Sequence, residues 1–142
     1  MTKIFHKVLE IPTNGQAFYE LTANIEDLVS QNLKGQTAIA LLSTLHTSAS
    51  LCVQEAYDPT AKADMEKFLD VLVPENQAWH QHVLEGPDDT TAHLKSILTG
   101  NHIHLAIEDG QILKGKWQGI YLCEHRKQAH LRKVQISFLV SS

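Results

Sequence analysis

The stretch Gln36-Thr37-Ala38-Ile39-Ala40-Leu41-Leu42-Ser43-Thr44-Leu45-His46 decides the architecture. Successive side chains on a strand point to opposite faces. Here Ile39, Leu41 and Leu45 fall on one face, and Ala38, Ala40 and Leu42 on the other. An extended segment that is apolar on both faces belongs at the buried centre of a sheet. His46 stands where this strand leaves the sheet and begins the run His46-Thr47-Ser48-Ala49-Ser50, an imidazole followed by three hydroxyls. Binding groups often sit at the end of such a rigid element. The alternative is a turn in which the hydroxyls satisfy nearby backbone groups.

Working outward, Lys3–Ile11 reads as a first strand closed by a Pro12-Thr13-Asn14-Gly15 turn. Phe18, Leu21, Ile25, Leu28 and Val29 share one face of a helix that ends near Gly35. Asp58-Pro59 marks a helix start, because a carboxylate accepts from free backbone N–H groups and proline suits the first turn. Ala61, Met65, Phe68, Leu69 and Leu72 continue that helix, and Pro74 follows it. Gly86-Pro87-Asp88 opens a third helix, with Leu94, Ile97 and Leu98 as its apolar stripe and Gly100 as its stop. Alternation in Ile103, Leu105 and Ile107, and again in Val134, Ile136, Phe138 and Val140, makes the remainder β. Between Glu108 and Gln111 a two-residue turn would set Lys114 and Lys116 against the core, which is costly. A three-residue loop, Glu108-Asp109-Gly110, with glycine in a left-handed bulge is therefore expected. The sum is an α+β fold: one two-layer domain over residues 1–142, with an antiparallel sheet and about three helices.

A chain of 142 residues, 43% hydrophobic and 20% charged, can bury a core without staples. Cys52 and Cys123 are too few for a disulfide framework and fit a reducing compartment. His6, Lys7 and Glu10 interrupt the apolar start, so no signal peptide is expected, nor any membrane span, and the cytoplasm is the expected location. A net charge of −4 gives no general attraction to nucleic acid.

The chemistry-bearing residue type is histidine, nine in all, of which five lie between His80 and His104. His80-x-His82 and His102-x-His104 each place two imidazoles on one strand face, but a metal site needs further ligands. His93 lies between the apolar and exposed sides of its helix, where a half-buried hydrogen-bonding role is the ordinary one. No glycine-flanked nucleophile turn and no phosphate loop with lysine is present.

Four blocks occur in the order found in one family: His46-Thr47-Ser48; Glu55-x-x-Asp58-Pro59; His82 through Glu85-Gly86 to Ala92-His93-Leu94-Lys95; and Gly115-Lys116-Trp117-Gln118-Gly119-Ile120-Tyr121. In these the chain resembles the YjbQ family, described as secondary thiamine-phosphate synthases. It departs from the usual pattern at Ala106, Lys114 and Lys116, and at the turn His125-Arg126-Lys127-Gln128. The resemblance implies a homotrimer and a pocket near His46, His82 and His93. It adds Glu85, Asp58, Gln118 and Glu124 as further candidates.

The activity so implied couples a pyrimidine diphosphate to a thiazole phosphate, which calls for a cation on the departing diphosphate. His46, His82 and His93 would hold that metal, with His46, His93 and Glu85 as catalytic groups. Thr47, Ser48, Asp58, Lys95, Gln118 and Glu124 would meet the small phosphorylated substrate, Lys95 through its charge. Imidazole ligands suit Zn²⁺ or Ni²⁺, whereas a Mg²⁺–diphosphate site prefers paired acids. Two other functions use the same residues: a metal-dependent hydrolase with Glu85 as base, or a non-catalytic trimer that binds a small molecule or metal.

Overall fold

The computed structural model describes residues 2–142. Eight strands and three helices follow in the order β1 (Lys3–Asn14), β2 (Ala17–Glu20), α1 (Thr22–Asn32), β3 (Ala38–Thr44), β4 (Ala49–Glu55), α2 (Pro59–Leu72), α3 (Asp89–Thr99), β5 (His102–Glu108), β6 (Gln111–Leu113), β7 (Gln118–Glu124) and β8 (Ala129–Val140). The fold is α+β, with two antiparallel sheets in the orders β1-β8-β3-β5-β6 and β2-β7-β4.

The main core lies between the sheets. Ala40, Leu42, Ile107, Ile136 and Phe138 of the larger sheet meet Leu51, Ile120 and Leu122 of the smaller one, and Ile25 and Val29 of α1 close the side. A second cluster, Phe18, Leu69, Tyr121 and Cys123, packs α2 on the outer face of the smaller sheet.

β3 is central, flanked by β8 and β5, but only one of its apolar faces is covered. Ala38, Ala40 and Leu42 are buried, whereas Ile39 is 49% exposed and Leu41 is exposed beside it. Among the described residues no second layer lies on that side. The first strand runs on to Asn14, and Phe18 belongs to β2, because Leu21 with its backbone N–H on Ile120 O delays the helix to Thr22.

The β5–β6 connection corrects the expected bulge. Glu108 pairs with Gln111 and Ile107 with Ile112, leaving a two-residue turn, Asp109-Gly110. Both turn residues have positive φ, 51° and 74°, as the type I′ hairpin turn requires. The anticipated burial of lysines never arises, because β6 stops at Leu113 before Lys114 and Lys116 can pair.

Asp58 caps α2 as expected, its carboxylate accepting from Thr60 N. Helix α3 runs to a Gly100 cap, also as expected, but with the opposite face inward. Its buried residues are Asp89, Thr91, Ala92 and Lys95, while Ile97 is 77% exposed. That inward polar face positions the site.

Candidate functional site

Asp89 and His93 are four residues apart on α3, so they stack one turn above the other on one side of the helix. His82 comes from the coil before the helix, held there by Thr90, whose hydroxyl donates to the His82 carbonyl at 2.6 Å. His82 Nε2 lies 2.6 Å from Asp89 Oδ2, and His93 Nε2 lies 3.1 Å from the same oxygen. One ligand atom from each of His82, Asp89 and His93 falls within 4.8 Å of the others. This is the one such grouping of three among the described residues.

Proton bookkeeping tells more than the distances. His93 Nδ1 donates to the Thr47 carbonyl at 2.8 Å, and a carbonyl can only accept. In the neutral ring, Nε2 therefore has no hydrogen. It faces Asp89 Oδ2, another acceptor, on a carboxylate that is 1% exposed. Two lone pairs facing each other across 3.1 Å in a buried place call for a cation, either a proton on His93 or a metal ion shared with His82. The fixed Nδ1–H bond is also the arrangement that orients a ligating imidazole.

The other Asp89 oxygen is taken by Arg126. Its Nη1 donates to Asp89 Oδ1 at 2.5 Å, its Nε to Asp88 Oδ2 at 3.2 Å and its Nη2 to the Glu85 carbonyl at 2.9 Å. Burial alone would raise the Asp89 pKa, but His82, His93, Glu85 and Arg126 outweigh it and keep the carboxyl below its ordinary value. Asp89 is thus held as an oriented carboxylate.

His46 lies close by but plays a different part. It lines a cleft of about 400 Å³ with Thr47, His93, Ser96 and Asn101. Its Nε2 accepts the Lys133 backbone N–H at 2.8 Å, so the neutral ring presents Nδ1–H and not a free ligand nitrogen. Burial, helped by the Arg132 charge, holds its pKa below the ordinary value and favours that neutral form. The residues that converge here with atoms able to hold a metal ion are therefore His82, Asp89 and His93, and His46 is not among them.

The remaining sequence candidates scatter. Glu85 is exposed and stands next to Asp89. Thr47 contributes through its carbonyl. Ser48 and Glu124 are buried with Arg132, whose guanidinium reaches Ser48 Oγ at 3.0 Å and Glu124 at 2.6 Å. Asp58 serves the α2 cap, and Gln118 accepts from Gly115 N at 2.7 Å in the turn before β7. Lys95 points to the other side of α3 and donates to Asp70 at 2.6 Å. His102 and His104 are exposed on β5, away from the cluster. Asp89 and Arg126 were missed from sequence. The Asp89-x-x-x-His93 spacing within a helix seven residues after His82 was the signal for the first, whereas nothing local pointed to Arg126.

Residues 7–141 fit the model of the UPF0047 protein YjbQ-like family, and the chain belongs to it. It is 38% identical over 128 residues to a UPF0047 protein of Synechocystis, covering 90% of this chain and 86% of that one. It is 37% identical over 130 residues to YjbQ of Salmonella typhimurium, covering 92% and 94%. A conserved hypothetical protein from Thermus thermophilus superposes with a TM-score of 0.81 at 36% identity, covering 92% of this chain and 97% of that one. A YbjQ-like protein of unknown function from Sulfolobus solfataricus shares the fold with a TM-score of 0.88 at 18% identity, covering 99% and 100%.

Proposed function

We propose that the chain is a metal-dependent enzyme centred on His82, Asp89 and His93, acting by hydrolysis on a small phosphorylated molecule. The observation that carries this is the bare His93 Nε2 facing the buried Asp89 carboxylate. Two imidazoles and one carboxylate suit Zn²⁺ or Ni²⁺ better than Mg²⁺. A divalent cation bound there would supply Lewis acidity to a phosphoryl oxygen and acidify water. Asp89 is fixed by Arg126, and His93 is fixed by Thr47. His82, the most open of the three, faces solvent on one side, and Glu85 beside it is placed to take a proton. His46 Nδ1–H would donate a hydrogen bond to substrate in the cleft it shares with His93.

The family resemblance favours a second use of the same centre. In thiamine-phosphate synthesis the departing diphosphate would rest on the cation in place of an attacking water. One experiment separates the two. The zinc-loaded protein is assayed for phosphate release from small phosphomonoesters and, in parallel, for thiamine phosphate from its two precursors. Zinc-dependent phosphate release that disappears in Asp89→Asn is the expected result. Product in the second assay alone makes the enzyme a transferase, and zinc retention without either turnover makes it a binding protein.

A homotrimer in the cytoplasm completes the proposal. The exposed Ile39 and Leu41 at the middle of the larger sheet, and Ile97 and Leu98 on α3, are the apolar surface that association would cover. Light scattering should return three times the 15.9 kDa protomer mass, and a protomer mass at every concentration would refute the trimer.

A further inference from the structure

Lys95 follows His93 by two residues, about 200° around the helix, and it opens onto a different cavity. This one is about 310 Å³, with walls that include Phe18, Leu69, Asp70, Lys95, His125 and Lys127. Two of its most buried side chains have hydrogen-bonding capacity left over. Lys95 is 2% exposed, yet of its three N–H donors one is used, on Asp70 Oδ1 at 2.6 Å. Gln16 donates to the same oxygen, so Asp70 Oδ2 stays open.

His125 is also 2% exposed. Its Nε2 lies 2.8 Å from Ser50 Oγ, which in turn takes the Thr99 hydroxyl at 2.5 Å. His125 Nδ1 is left without a partner in the protein. Burial, with the Lys95 and Arg132 charges, lowers the His125 pKa to about 3, so the ring is neutral at ordinary pH. The one fully enclosed side-chain polar atom without a partner among the described residues is His80 Nε2. His125 Nδ1, also without a partner, therefore touches open space, and the open space His125 borders is this cavity.

The charges of the lining are already balanced. Lys95 pairs with Asp70, Lys62 with Glu66, Lys127 with Glu75 and Arg132 with Glu124. A matching ligand carries no net charge, offers acceptors to Lys95 and a donor to Asp70 Oδ2, and gives His125 Nδ1 its missing partner. Its size is limited too, since small-molecule sites begin near 300 Å³. We propose that this cavity binds a free α-amino acid, with its carboxylate on Lys95, its ammonium on Asp70 Oδ2, one of these two groups on His125 Nδ1, and its side chain against Phe18 and Leu69. The site is independent of the His82–Asp89–His93 centre.

Calorimetric titration of the whole protein with a panel of free L-α-amino acids tests this, with acetate and methylammonium as half-ligands. At least one amino acid should bind saturably and both half-ligands far more weakly. His125→Phe and Lys95→Met should each weaken binding roughly 10- to 100-fold, as loss of a hydrogen bond to a charged group does. Lys95→Met disturbs a buried ion pair, so a wild-type measurement stands beside it: the His125 Nδ1 resonance in a long-range ¹H–¹⁵N spectrum should move as the amino acid is added. No saturable binding, acetate binding as tightly as any amino acid, or a stationary Nδ1 resonance at saturation would each overturn the proposal.

Discussion

His93 and Asp89 meet at 3.1 Å as acceptor against acceptor, because the only proton of the neutral His93 ring is committed to the Thr47 carbonyl. A proton and a metal ion then compete for the same place. Metal affinity should fall between about pH 8 and pH 5, since protons compete with the metal for the ligand nitrogens. Chelator competition on either side of that range measures it, and an affinity that does not change with pH would place the metal elsewhere.

Glu124 and Arg132 form a buried pair, 1% and 3% exposed, joined at 2.6 Å and reinforced by Thr13 and Ser48. Their role is to hold the strand ends together. Glu124→Gln should cost about 3–5 kcal/mol in chemical denaturation, because it strands a buried guanidinium. The double variant Glu124→Gln/Arg132→Met should recover much of that loss. A single variant as stable as the parent would show that the pair is not buried in solution.

The lowered His125 pKa makes stability depend on pH with a definite sign. The folded value is about 3 against an ordinary 6.5. Below pH 6.5 the unfolded chain takes up a proton that the folded chain refuses, so stability falls on acidification. The slope approaches about 1.4 kcal/mol per pH unit for one proton. Asp70, Asp88 and Asp89, whose pKa values are depressed, add their own losses only at lower pH, where carboxylates titrate. Between pH 6.5 and the carboxylate range, denaturation of wild type should show at least this slope, and His125→Phe should reduce it to the part that the lowered His46 contributes. Equal slopes would mean that His125 protonates in the folded state.

The elements that obey one local rule were legible in the sequence. Val134, Ile136, Phe138 and Val140 alternate and are buried, and Asp58-Pro59 and Gly100 bound their helices as capping chemistry demands. What misled was apolar surface. On α3 the stripe Ile97–Leu98 faces out while Asp89 and Lys95 face in, and on β3 Ile39 and Leu41 face out. In the proposed trimer a neighbouring protomer would cover such residues, and periodicity within one chain does not distinguish that burial from burial in its own core. In the site, His82 and His93 were visible as residue types. Asp89 was overlooked because it reads as part of a helix start, and Arg126 arrives from a turn 37 residues further on. Such convergence is a property of the fold, and no short window contains it.

If His82, Asp89 and His93 hold a metal ion, the protein should carry it through desalting. The direct measurement is the metal content of the zinc-reconstituted, desalted protein by inductively coupled plasma mass spectrometry. It is made on wild type, His46→Ala, His93→Ala and Asp89→Asn, each checked for folding by circular dichroism. The account predicts one zinc ion per protomer in wild type and in His46→Ala, and loss of it in folded His93→Ala and Asp89→Asn. Wild-type protein that retains no metal, or folded His93→Ala and Asp89→Asn variants that retain it in full, would contradict the account.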